Sequence, residues 1–138
     1  MNLRIPLSLR ELVRERAGGR CEYCLIHESD VLLPHEVDHI IAVKHRGQTD
    51  PSNLAYACYL CNRRKGTDIA SIDPDTGQLT CLFNPRTDRW LDHLNLIGGR
   101  IVPLTQTGRV TVELLQLNDT ERVEERRLLI EAGGYPTH

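Results

Sequence analysis

Two Cys-x2-Cys pairs constrain this 138-residue chain more than any other feature: Cys21 with Cys24, and Cys58 with Cys61. Each pair presents two thiolates from one tight turn, and together they supply the four soft ligands of a tetrahedral zinc, at Zn–S distances of roughly 2.3 Å. Four cysteines leave no open coordination position, so the Zn2+ expected here is structural. Thirty-three residues separate Cys24 from Cys58. That is longer than a simple zinc ribbon needs, so the intervening chain is expected to be folded. Cys81, in the apolar run Leu79-Thr80-Cys81-Leu82-Phe83, reads as a buried structural thiol.

The surroundings of the pairs favour metal over disulfides. The sequence shows no basic-then-apolar leader, and no apolar run near the roughly 18 residues of a membrane span; its start, Met1-Asn2-Leu3-Arg4-Ile5-Pro6, is too short and mixed for either. A soluble cytoplasmic protein without membrane contact is the expectation, and there paired Cys-x2-Cys units bind metal. The net charge of −2 does not mark a nucleic-acid binder. Its distribution is more informative, because residues 1–66 carry ten Lys/Arg against eight Asp/Glu, and residues 67–138 seven against eleven. Phosphate contacts need local positive charge rather than a basic protein. Lys44-His45-Arg46 and Arg63-Arg64-Lys65 are two such clusters, and a solvated charged surface is the alternative reading of both.

Patterning gives an α+β chain. Ser8-Leu9-Arg10-Glu11 has capping-box form, so a helix is expected with Ser8 as its N-cap, ending at Gly18-Gly19. The stretch from Val31 to Asp38 reads as extended, with Glu36 and Asp38 on one side and Val37 on the other. His45 to Ser52 is turn-forming and expected as a surface loop, and a helix is expected to begin at Asn62. Beyond residue 67, Gln78 to Phe83 reads as a strand, Trp90–Leu96 with Arg100–Leu104 as a hairpin about Gly98-Gly99, and Gly108–Leu117 and Thr120–Ala132 as helices. Residues 1–66 are thus expected to form a core with an N-terminal helix, and residues 67–138 an extension packed on it, in one compact domain. Monomer and homodimer are both compatible with the sequence.

Between the knuckles lie residues suited to phosphodiester hydrolysis. That reaction needs an activated water, a Lewis acid on the phosphate and charge stabilisation at the leaving oxygen. A carboxylate and an amide oxygen make a hard-oxygen pair suited to Mg2+, and an imidazole beside them can accept water's proton near neutral pH. Asp38, His39, Asn53 and Asn62 provide those groups. Taken singly, each has a plainer reading: Asp38 as a strand-end turn former, His39 as a core histidine, Asn53 as a turn residue, and Asn62 as a helix cap.

In order, Cys-x2-Cys, Val37-Asp38-His39-Ile40-Ile41, a Gly-containing loop, Asn53-Leu54 and Cys58-x2-Cys61-Asn62-x2-Lys65 resemble an HNH endonuclease with the ββα-metal fold. The second half, with Ile72-Asp73-Pro74 and Asn84-Pro85-Arg86, is similar to stand-alone bacterial HNH proteins, many of them cyanobacterial. The resemblance implies a zinc-stapled ββα-metal core with a C-terminal β-hairpin and helical extension, acting on DNA as a metal-dependent endonuclease. It implies that Asp38 and Asn62 bind a catalytic Mg2+ or Mn2+, that His39 is the general base, and that Asn53 orients the His39 imidazole by a hydrogen bond. Lys65 and Arg64 are implied to touch the DNA backbone, with Arg63, Lys44 and Arg46 as further basic candidates. Two positions depart from the commonest pattern: the usual Gly-Gly of the loop is Gly47-Gln48, and Ala42 stands where proline is frequent. The reading from another class is a zinc-knuckle nucleic-acid-binding module with an idle nuclease site.

His35-Glu36-Val37-Asp38-His39 is also a literal His-Glu-x-x-His, the zinc-protease motif. That chemistry requires both histidines on one face of a helix. Pro34 before the motif and the β-branched residues through it predict a strand instead. His93, in a second Asp-His dipeptide, lacks the cysteine frame and reads as packing near Trp90.

Overall fold

The computed structural model describes residues 5–136; the start of the chain, read above as neither leader nor anchor, lies outside them from residue 1 to 4. The fold is α+β, with three two-stranded antiparallel hairpins and five helices among the described residues. Helix α1 spans Leu7–Arg16 and is followed by the first Cys-x2-Cys turn. Strands β1 (Glu36–His39) and β2 (Leu54–Ala57) pair from Glu36↔Ala57 to His39↔Leu54, and α2 (Tyr59–Lys65) follows directly. Next come β3 (Ala70–Ile72) with β4 (Leu79–Cys81), then α3 (Trp90–His93), β5 (Leu94–Ile97) with β6 (Arg100–Pro103), α4 (Gln106–Leu114) and α5 (Thr120–Glu131). No helix among the described residues is long and apolar enough to cross a membrane.

Strand β2 is the centre of the site-bearing unit. All four of its residues are buried, and period-two alternation sends them to different cores. Leu54 and Tyr56 pack with Val13 of α1, whereas Ala55 and Ala57 join the cluster that contains the four paired cysteines. Strand β1 beside it is sided in the same way. Val37 packs toward the α1 cluster, and Glu36 and Asp38 meet Asn62 and Lys65 of α2. The expected siding of Glu36 and Asp38 is therefore present, although the strand is shorter than expected and the chain from Val31 to His35 is irregular.

Four local expectations need correction. Helix α1 starts at Leu7 with Pro6 at its N-cap and no side-chain cap. Ser8 lies inside the first turn, because the φ of −55° at Pro6 already suits the entry to a helix. Helix α2 begins at Tyr59, three residues before Asn62, with the Cys58 sulfur accepting from the Cys61 N–H. Cys81 is exposed, since β4 is half of an isolated two-stranded hairpin and has no third strand to cover it. The hairpin about Gly98-Gly99 forms, but Trp90–His93 is a helical turn leading into it.

The second half is tied to the first by specific polar contacts. Trp90 donates its indole N–H to the Tyr23 carbonyl at 2.9 Å, and the Tyr135 hydroxyl donates to the Cys24 carbonyl at 2.5 Å. Asp73, wholly buried, accepts two hydrogen bonds from Arg109 of α4 at 2.9 and 2.8 Å. The guanidinium holds the Asp73 carboxyl well below the usual carboxylate range.

Candidate active site and metal centre

The four paired cysteines converge. Their sulfur atoms lie within 4.8 Å of one another, all in buried residues, and Cys24 Sγ is 3.7 Å from Cys58 Sγ. A tetrahedron with Zn–S near 2.3 Å has sulfur–sulfur edges of about 3.8 Å, so the spacing fits a zinc ion. The donor set and its geometry make this a cluster able to hold zinc. Cys21 and Cys24 come from the turn after α1, and Cys58 and Cys61 from the N-terminus of α2.

A residue the sequence reading did not single out completes this centre. Arg122 of α5, itself buried, directs Nη2 at Cys61 Sγ at 3.1 Å and lies 3.9 Å from Cys58 Sγ. Its other terminal nitrogen donates to the Leu115 carbonyl at 2.8 Å. The guanidinium is held firmly charged there, its pKa raised by the thiolates against the opposing effect of burial. A four-thiolate zinc centre carries net negative charge, and Arg122 places one compensating charge against it.

On the α2-facing side of β1, Asp38 is buried among donors. Lys65 Nζ lies 3.1 Å from Oδ2 and 3.4 Å from Oδ1, and the Tyr23 hydroxyl donates to Oδ2 at 3.0 Å. The same ammonium donates to the carbonyls of His39 at 3.2 Å and Ile40 at 3.1 Å. Lys65 is 2% exposed. This corrects the expectation that it touches DNA: an ammonium enclosed by a carboxylate and two carbonyls has no free face for a phosphate. Burial pushes the Asp38 carboxyl up, and Lys65 opposes that shift.

The Lys65–Asp38 pair yields a stability prediction. Lys65→Met should cost about 3–5 kcal/mol, the usual penalty for stranding one partner of a buried ion pair, moderated if Asp38 takes up a proton. Denaturant unfolding measures it, and adding Asp38→Asn to that variant should recover part of the loss.

Asn62 sits near the surface and donates from Nδ2 to Glu36 Oε2 at 2.9 Å. Its amide oxygen, the exposed Glu36 carboxylate and the long-bonded Asp38 Oδ1 are hard-oxygen donors on one side of the hairpin, in keeping with a Mg2+ or Mn2+ donor set. Arg63 and Arg64 are exposed on the same helix, Arg63 lying over the Tyr59 ring at 5.0 Å to its centroid. Lys44 and Arg46 are exposed on the 3-10 turn Val43–His45 and its C-cap.

His39 ends β1, and its Nε2 is 2.9 Å from the Thr49 hydroxyl. Asn53 does not reach the imidazole. Its Oδ1 accepts from the Ile41 N–H, and its Nδ2 donates to the carbonyls of Ile41 and Gln48, each at 2.9 Å. The expected hydrogen bond from Asn53 to His39 is thus replaced by one from Thr49, because the Asn53 amide is used up in closing the loop between β1 and β2. The loop closes tightly enough to require glycine at 47, where a Cβ would lie 1.6 Å from the Ile41 carbonyl oxygen. The candidate protease pair is also resolved. His35 precedes β1, buried with Nε2 at 2.9 Å from the Ile26 carbonyl, and His39 ends the strand. The motif is not helical and does not gather its histidines.

Residues 21–68 match the family model for HNH endonuclease. That segment is an HNH domain. It contains both Cys-x2-Cys pairs, the β1–β2 hairpin and α2, while Arg122 of α5 reaches the cysteine centre from outside it. Over 132 residues, 91% of the chain, the sequence is 26% identical to the Septu protein PtuB of Bacillus thuringiensis. The chain spans 46% of that relative, less than half its length. No solved structure matches with statistical support. Within the HNH domain, Glu36 and Thr49 are the contacts that sequence reading passed over. Glu36 was legible as sharing a side with Asp38; no signal in the sequence marked Thr49, which reaches His39 only through the closed loop.

Proposed function

We propose that this chain is a metal-dependent endonuclease that hydrolyses DNA phosphodiester bonds with His39 as general base. One arrangement carries the reading. In an HNH domain, an imidazole ends the strand whose carboxylates meet α2, Glu36 at Asn62 and Asp38 at Lys65. His39 removes the proton from the attacking water. A divalent ion, Mg2+ or Mn2+, would when bound supply a Lewis acid on the phosphate. Asn62 offers its amide oxygen to that ion, and β1 offers the carboxylate. Asp38 is the carboxylate nominated by the family resemblance, with Glu36 two residues before it in contact with Asn62. Arg63, Arg64, Lys44 and Arg46, all exposed, are the side chains available to DNA phosphates. The four-cysteine centre holds Zn2+ and takes no part in the chemistry.

The deciding experiment is incubation of purified protein with supercoiled plasmid and Mg2+ or Mn2+, with and without EDTA. Nicked or linear product that EDTA abolishes is expected. Retardation of DNA with no cleavage under either metal would instead favour the nucleic-acid-binding module, a reading that draws on the occupation of Asp38 by Lys65 and Tyr23.

Ligand assignment has its own test. Asn62→Ala and Asp38→Ala should each raise the Mg2+ concentration needed for cleavage by about 10- to 100-fold while leaving zinc content unchanged. Glu36→Gln belongs in the same series. A larger rise for Glu36→Gln than for Asp38→Ala would move the carboxylate ligand two residues up the strand.

A further inference from the structure

We propose that Thr49 is a positioning residue for His39, holding the ring by its Nε2 side so that Nδ1 is the nitrogen that meets water; this rests on the nuclease reading above. A neutral imidazole carries one N–H and one bare nitrogen, and a hydroxyl can accept from the first or donate to the second, so what Thr49 sets is the orientation of the ring. The Thr49 hydroxyl occupies the Nε2 side at 2.9 Å. A base needs its bare nitrogen free to meet water, so the tautomer that can react is the one with its proton on Nε2, donated to the Thr49 oxygen, and its lone pair on Nδ1. In the step itself an N–H bond forms at Nδ1 as a water O–H bond breaks. The resulting hydroxide bonds to phosphorus, and the P–O bond to the departing alkoxide breaks with its electron pair.

Thr49 is exposed, and a free loop would not keep its hydroxyl in place. The loop is not free. The Asn53 amide binds both ends of the segment from Ile41 to Gln48 through three hydrogen bonds, and Gly47 permits the close approach to the Ile41 carbonyl. Just beyond Thr49, the Asp50 side chain accepts from the Ser52 N–H at 2.8 Å and from the Ser52 hydroxyl, anchoring the far side. Thr49 is therefore flanked by anchored neighbours on both sides, Gln48 through its carbonyl and Asp50 through its side chain. The influence of Asn53 on the imidazole passes through this loop and the Thr49 hydroxyl.

The test has two arms. In the first, 15N-labelled histidine is observed by NMR at a pH where the imidazole is neutral. Wild type should show a hydrogen-bonded His39 Nε2, Thr49→Val should lose that signature, and Thr49→Ser should restore it. In the second arm, Thr49→Val should lower kcat for plasmid cleavage about 10- to 100-fold, the scale of loss when a reacting group is misplaced. KM should change little, and Thr49→Ser should recover most of the rate. Because Thr49 is exposed, neither variant removes a core contact. A wild-type Nε2 signature in Thr49→Val, or an undiminished kcat, would overturn the proposal. A wild-type chain that cuts nothing would count against the nuclease reading, while the NMR arm would still decide whether Thr49 holds the ring.

Discussion

His39→Ala should abolish most DNA cleavage, by about 10²- to 10⁴-fold, while the protein keeps its fold, its zinc and its affinity for DNA. The imidazole lies at the end of β1, partly exposed, and its one side-chain partner is the Thr49 hydroxyl. Removing it opens no core cavity and strands no buried charge. An effect of that size therefore separates a lost base from a packing defect, which would cost a few-fold. Elemental analysis of the variant should return the same zinc content as wild type, because no cysteine contact is touched. A His39→Ala protein that cuts plasmid at the wild-type rate would remove the general base from the mechanism.

The parts of this site differ in how far they can be read from sequence, and the difference follows the range of the interaction. The cysteine pairs were legible because ligand spacing within a turn is a local property. The side of β1 that carries Glu36 and Asp38 was legible because strand alternation is local too. Lys65 was not. A lysine beside two arginines reads as solvent-facing charge, and only packing of α2 on β1 encloses it with Asp38, 27 residues away, and the carbonyls of His39 and Ile40. Asn53 was assigned to the imidazole by resemblance, yet its three hydrogen bonds all go to loop backbone. A loop's closure depends on the conformation of every residue in it, and alternation or motif spacing does not report that. Arg122 and Arg126 were missed for a related reason. Spaced four apart on a charged helix, they look like its solvated face, and both are buried in the fold. Arg126 donates to the Gly99 carbonyl at 2.7 Å, a contact that depends on where the β5–β6 turn lies against α5.

Removal of the zinc should loosen the C-terminal half as well as the knuckles. Apparent zinc-binding free energies in small four-ligand domains are about 10–16 kcal/mol and are spent largely on folding, a sum that matches or exceeds the roughly 5–15 kcal/mol by which most domains are stable. In this chain the effect has a route to α5. Arg122 is buried with Nη2 against Cys61 Sγ and Cys58 Sγ, so a metal that fixed the four sulfurs would fix the partners of the guanidinium as well. Without a metal those sulfurs are free to move apart, and the guanidinium would lose its fixed partners while remaining buried. Tyr135 on the Cys24 carbonyl and Trp90 on the Tyr23 carbonyl attach to the same knuckle and lose a fixed partner with it. Elemental analysis of protein prepared without added metal should find close to one zinc per chain. Cys58→Ser or Cys61→Ser should lose zinc and unfold at markedly lower temperature or denaturant concentration. Hydrogen exchange followed during chelation should show amides of α5 from Thr120 to Glu131 losing protection together with those of α2. Loss of protection confined to the knuckles would mean that Arg122 contributes packing alone, and that the C-terminal helices stand without the metal.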